Sequence, residues 1–251
     1  MKFLMIGILL YFNTAVLSQT TINQTASTQG IDLVEMSFKY PEMIKITTWD
    51  KDEIRITGSV MINNGESDDA FKLDISRKDG KLVVTSAIEN LESLPKRIMI
   101  KRDGEKYYFD TDDFKDKEIQ VFLDEKGGGH QYQMHGVIKE IELEIKVPRR
   151  VALSIEAKYG LVELSDVPAP VEIVSKYGGI DITLPASSPR NITARIEFGE
   201  LFSDLDLTLD RSASSSGEYY KWTTVVAALS GGGAKCNLES KYGNLYIRGT
   251  N

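Results

Sequence analysis

The sequence predicts an all-β protein: a β-solenoid, like a single-stranded β-helix, preceded by an irregular β part. Three observations predict it. Apolar and polar residues alternate with period two from residue 31 to about 147, the pattern of half-buried strands. No segment sustains an apolar period of 3.6, and the best helix candidate, residues 89–94, is short. Residues 148–251 repeat one strand–turn–strand unit around a glycine, the mark of a stacked architecture.

The chain opens on a signal-peptide pattern over residues 1–18. Lys2 supplies the positive end, Phe3 to Leu17 the apolar run, and Val16-Leu17-Ser18 a cleavage step before Gln19. The run is shorter than a spanning helix needs, and Asn13 and Thr14 interrupt it. No cysteine stands at the cleavage step and no second apolar run follows. These features predict a periplasmic or secreted protein with no membrane span after signal removal. Residues 19–30, rich in Thr and Gln, predict a flexible leader, because they offer little apolar surface to bury. In a eukaryotic host, Asn23-Gln24-Thr25 and Asn191-Ile192-Thr193 are glycosylation sequons.

Residues 31–147 form an N-terminal β region with long loops. Ile44 and Ile46 precede the Trp49-Asp50-Lys51-Asp52 turn, and Ile54 and Ile56 follow it. Phe71, Leu73 and Ile75 precede Lys78-Asp79-Gly80, and Leu82 and Val84 follow. Both are strand–turn–strand units with Asp or Gly turn chemistry. Ile98 and Ile100, then Ile119, Val121 and Leu123, extend the strand pattern, which closes at Ile141, Leu143, Ile145 and Val147. The acidic stretch 103–118 and the glycine-rich stretch 124–136 read as surface loops.

Residues 148–251 form the repeat solenoid, continuous with the preceding region. The segments 153–164, 171–182, 192–203 and 236–247 align on Gly160, Gly178, Gly199 and Gly243, separated by 18, 21 and 44 residues. The last interval leaves room for a degenerate unit at 223–234. Seven residues before each glycine stand Leu153, Val171, Ile192 and Cys236; five before stand Ile155, Ile173, Ala194 and Leu238; two after stand Val162, Ile180, Leu201 and Leu245. These are the inward positions. A repeat this short cannot bury its own apolar face, but copies stacked at ~4.8 Å can. The glycine supplies a positive φ or a tight corner.

Two outward columns follow from stacking. Tyr159, Tyr177, Phe198 and Tyr242 precede the glycines and predict an aromatic ladder at the corner. Lys158, Lys176, Glu197 and Lys241 predict a mostly positive strip. The three lysines are the candidate binding residues, for an anionic glycan, another cell-surface polymer or a protein. A solvated face that blocks edge pairing accounts for them as well.

The net charge of −7 argues against nucleic acid, which needs a basic face. His130 and His135 are the only histidines, too few for a zinc site without further close ligands. Asp110, Asp112, Asp113 and Asp116 crowd one loop, and Asn63, Asn64, Glu66, Asp68 and Asp69 another, but neither has the EF-hand spacing. No G-x-S-x-G elbow, P-loop or dinucleotide fingerprint is present. Asp204, Asp206 and Asp210 are the one acid set that fits glycan cleavage, on one strand face. Cys236 lacks a partner for a disulfide and reads as a small buried hydrophobe. The expectation is a protein with no catalytic residues, no metal and no cofactor: a non-enzymatic envelope or secreted module, adhesin-like or structural. The alternatives are a carbohydrate-active β-helix enzyme and a sensory partner of an envelope stress-response system.

The repeats, the Val147-Pro148 step, the Gly231-Gly232-Gly233 run before the last unit and the strand pair at 44–58 together resemble a family of exported bacterial β-strand-repeat proteins. That family has no established function and carries an adhesin label. The resemblance covers roughly residues 34–250. It implies a β-helix-like fold and export to the envelope, and brings no catalytic residues. The insertions at 103–136 and 212–220 depart from the family pattern.

Overall fold

The computed structural model describes residues 19–126, 132–167, 170–215 and 222–250. The signal-peptide pattern at 1–18 and His130 lie outside the described residues. The chain is all-β, with one α-helix among them. It forms β1 (Thr20–Ser27), β2 (Leu33–Phe38), β3 (Met43–Trp49), β4 (Glu53–Ile62), β5 (Phe71–Lys78) and β6 (Lys81–Ile88). A lobe follows: β7 (Arg97–Arg102), β8 (Glu105–Phe109), α1 (Lys117–Lys126) and β9 (Tyr132–Gly136). Next come β10 (Lys139–Pro148), β11 (Ala152–Tyr159), β12 (Leu161–Ser165), β13 (Val171–Tyr177), β14 (Ile180–Pro185), β15 (Arg190–Phe198) and β16 (Leu201–Ser203). The chain finishes with β17 (Thr208–Leu209), β18 (Thr223–Leu229), β19 (Ala234–Tyr242) and β20 (Leu245–Thr250).

Two large sheets enclose one core. One runs β1-β4-β10-β3-β12-β14-β20-β16, the other β17-β18-β15-β19-β13-β11-β2-β6-β5. Strand pairs bend from one sheet into the other, and their members stack in parallel. The predicted inward register holds. Leu153, Val171, Cys236 and Ile192 lie level across one sheet, as do Ile155, Ile173, Leu238 and Ala194, all buried. Val162, Ile180 and Leu245 lie level and buried across the other, with half-buried Leu201 beside them.

The stack contains a pair the glycine alignment omits. β2 and β3 pair in parallel with β11 and β12, setting Val34 beside Leu153 and Ile44 beside Val162. Pro41 stands where the other pairs have glycine, so this unit escapes the motif. The stacking order also departs from chain order. β19/β20 lies between β13/β14 and β15/β16. β18, expected as a degenerate repeat, instead runs antiparallel along the outer edge of β15. Its sequence has no aromatic-glycine corner to bend it into the second sheet. The turn at 230–233 crosses the start of β15 to place β19 on its other side. Gly231 and Gly232 take positive φ there, and a β-carbon on Gly233 would fall on the Pro189 carbonyl.

Three further expectations are corrected. Residues 20–27 are not a flexible leader: β1 pairs with β4 along its whole length. Backbone pairing at a sheet edge needs little burial, and Ile22 and Ala26 suffice to pin β1 on the core. The stretch 103–118 is not all loop, since β8 pairs with β7, and neither is 124–136, since β9 pairs with the other side of β7. Ile119, Val121 and Leu123 lie on α1 rather than on a strand. The helix signal was Ile119, Phe122 and Leu123 at i, i+3 and i+4. Asp116 caps it by accepting the Glu118 amide at 2.8 Å. The lobe has its own small core of Ile98, Ile100, Phe109 and Ile119.

Asn63 ties the lobe to the body. Its Nδ2 donates to the Pro95 carbonyl at 2.7 Å, and its Oδ1 accepts the Ile138 amide at 3.0 Å. Asn63 sits at φ 50°, a left-handed conformation that asparagine tolerates well.

Candidate functional site

The strand pairs bend at a corner where the aligned glycines stack. A β-carbon on Gly178 would fall on the Gly160 carbonyl, one on Gly243 on the Gly178 carbonyl, and one on Gly199 on the Gly243 carbonyl. Gly160 would meet the Pro41 carbonyl in the same way. Close approach between successive backbones therefore selects glycine along the column. Positive φ adds to it at Gly160, where φ is 80°.

Beside the glycines runs the aromatic ladder, in stacking order rather than chain order. Tyr159 and Tyr177 stack at 5.4 Å, Tyr177 and Tyr242 at 5.2 Å, and Tyr242 and Phe198 at 5.0 Å, with interplanar angles of 18°, 5° and 1°. Sheet spacing imposes these separations, and offset parallel rings at this distance attract. All four remain exposed, Tyr177 at 44%. The column of rings is thus on the surface.

Lys158, Lys176 and Lys241 accompany the ladder. Their Nζ atoms lie 5.3, 5.1 and 5.4 Å from the ring centroids of Tyr159, Tyr177 and Tyr242, within cation–π range. Lys39, which the glycine alignment missed with its strand pair, lies 5.0 Å from the Tyr40 centroid in the same way. The signal for it was the Lys39-Tyr40 dipeptide, which matches Lys-Tyr in three of the repeats. Lys241 binds Glu197 at 2.9 Å, which raises the Lys241 pKa. Lys39, Lys158 and Lys176 form no ion pair among the described residues. The corner therefore presents a surface strip of ammonium groups flanking aromatic rings at strand spacing.

A shorter ladder stands on the outward face of the other sheet. Phe202 and Tyr246 stack at 5.1 Å, and Arg248 grips both carboxylate oxygens of Asp181 at 2.8 and 2.9 Å. Both aromatics stand three residues after an aligned glycine.

The remaining candidates are engaged elsewhere. His135 lies on β9 with its ring 6.1 Å from Phe114, and no metal-ligand cluster occurs among the described residues. Asp110 pairs with Arg97 at 3.3 Å, and Asp68 is buried, accepting the Ile62 amide at 2.6 Å. Asp204, Asp206 and Asp210 do not share a strand face: β16 ends at Ser203 and β17 spans Thr208–Leu209. Asp204 accepts the Gly249 amide at 2.7 Å. The Ser212 hydroxyl and the Ala213 and Ser212 amides bind Asp210 and hold its carboxyl below the usual range. Cys236 is fully buried, and burial pushes its thiol up to about 12.

No family model matches the chain, and no curated protein does. Among solved structures, the chain is similar to a "putative cell adhesion protein" from Clostridium sporogenes. The identity is 10% and the TM-score 0.49, over 93% of this chain and all of that one.

Proposed function

We propose that this chain is a non-enzymatic β-solenoid scaffold, exported to the envelope or secreted, whose lysine–tyrosine corner binds an anionic surface polymer. The observation that carries the reading is the column of Lys39, Lys158 and Lys176, without ion pairs, alongside exposed stacked tyrosines. The parallel stacking of bent strand pairs supports the solenoid description. The signal-peptide pattern at 1–18 and the resemblance of the repeats to exported β-strand-repeat proteins support export. A linear polyanion with regular charge spacing suits the strip because each rung offers one ammonium and one ring.

Binding of the purified protein to immobilised acidic polysaccharide tests it. The parent protein should bind, and its affinity should fall as salt rises. A Lys158→Glu, Lys176→Glu double variant should lose at least tenfold in affinity. Its melting temperature should hold, since both side chains lie at the surface. A folded double variant that binds like the parent sinks the corner reading.

A further inference from the structure

At its Tyr159 end the ladder runs into a cleft of about 490 Å³, within the size range of small-ligand sites. One wall is the corner itself, with Lys39, Tyr40, Lys158 and Tyr159. The opposite wall comes from outside the repeat: Leu91 and Glu92 from the 3₁₀ turn Leu91–Ser93, and Met134 from the lobe strand β9. Glu42 and Lys139 also line it.

Three features of this cleft point to one ligand class. Tyr177 and Tyr242 are each held between two rings, whereas Tyr159 stacks only on Tyr177 among the described residues. Tyr159 therefore has ring surface to offer a ligand in the cleft. Lys39 and Lys158 stand beside it and form no ion pair among the described residues, with Glu92 acting on Lys39 from a distance. Glu42 and Glu92 add acceptors on the same cleft. A sugar ring uses all three: its C–H face packs on an aromatic ring, its carboxylate meets ammonium groups, and its hydroxyls donate to carboxylates. A polyglutamate peptide would meet the same lysines but has no ring hydroxyls to donate to Glu42 and Glu92.

Building on the corner reading, we propose that this cleft binds a single acidic sugar unit of uronate type. The ring lies on Tyr159, the carboxylate sits between Lys39 and Lys158, and hydroxyls donate to Glu42 and Glu92. Glu42 and Glu92 then set selectivity at one end of the strip.

Calorimetric titration of the full chain with digalacturonate tests this, with neutral digalactose, a tetraglutamate peptide and long polygalacturonate as comparisons. Digalacturonate should fill one site at least tenfold more tightly than digalactose. Tyr159→Ala and Lys158→Met should each weaken it at least tenfold. Tyr159→Phe should retain affinity, which separates loss of the ring from loss of the fold. Lys78→Met, level with the start of β2 and so at the strand ends away from the corner, should change nothing. If polygalacturonate binds and needs Lys176 but digalacturonate does not bind, the cleft proposal fails and the corner reading stands. The same holds if digalacturonate binding survives Tyr159→Ala in a folded protein. If neither sugar binds, both fail. Tighter binding of tetraglutamate than of digalacturonate overturns the sugar assignment.

Discussion

Gly178 and Tyr177 are neighbours in sequence with opposite demands. Gly178 lies under the Gly160 carbonyl with no room for a β-carbon, while Tyr177 is 44% exposed at the surface. Gly178→Ala should therefore destabilise the protein by about 3 kcal/mol, because rigid backbone rather than a movable side chain must give way. Tyr177→Phe should change stability by less than ~0.5 kcal/mol, as it keeps the stacked ring and loses only an exposed hydroxyl. Urea denaturation of both variants checks the pair, and a neutral Gly178→Ala would mean the strand pairs are spaced more widely. Sequence reasoning found the glycines and offered a positive φ or a tight corner as the reason, but not the collision, because one strand pair viewed alone shows no neighbour to collide with. Cys236 shows the easier case. Its place in the inward register was legible from alternation, and its burial follows. With the thiol held near 12, thiolate is scarce at pH 8. A thiol reagent should leave native protein unmodified there and label it fully in denaturant; fast labelling of the native protein would place Cys236 at the surface.

At the scale of elements, what was legible depended on how local the signal was. The inward face of each repeat strand could be read from seven residues, and β11, β13, β15 and β19 carry it. The stacking order could not, because Val171, Ile192 and Cys236 are interchangeable neighbours as far as apolar pattern goes. What fixes the order is the antiparallel pairing of β15 with β18, followed by the crossing turn at 230–233. β1 was missed for a related reason: its stability comes from the ladder with β4, not from its own composition. The wedge position of β19/β20 has a mechanical consequence. Among the described residues, β15 and β16 join the sheet ladders of the parallel stack only through β19 and β20, and outside the ladders Arg190 donates to the Val167 carbonyl at 2.8 Å. Truncation after residue 233 should therefore detach β15–β18 as well, and abolish cooperative unfolding at the C-terminal side. A stack in chain order would lose only its last unit. Limited proteolysis at Arg190 and Arg195 separates the two: rapid cleavage in the truncated protein supports the wedge, and continued protection rules it out.

At the scale of the molecule, the chain is one two-sheet core with a lobe set on its side. Core residues from Ile31 to Ile247 form one cluster, and the lobe core of Ile98, Ile100, Phe109 and Ile119 is separate from it. Polar contacts join the two: Lys106 with Glu140 at 2.8 Å, Arg97 with Glu66 at 2.6 Å, and the Tyr108 hydroxyl with Glu140. Neither partner of the lobe's neck is far from the other. Pro95 and Ile138 both bond to the side-chain amide of Asn63, which holds them within about 7 Å. Three glycines, with ~10 Å of reach, span that gap. Replacing residues 97–136 by Gly-Gly-Gly should therefore leave the body folded, with a cooperative melt within a few degrees of the parent, since the excised apolar core is not shared. It should also thin one wall of the cleft by deleting Met134, while Leu91 and Glu92 on that wall and Lys158, Lys176 and Lys241 stay in place. Polymer binding at the corner should survive this excision, and a single acidic sugar, which keeps Tyr159, Lys39, Lys158, Glu42 and Glu92, should lose only its packing against Met134. If the excised protein fails to melt cooperatively, the lobe is an integral support of the two sheets, and the separation of the two cores is not an energetic one.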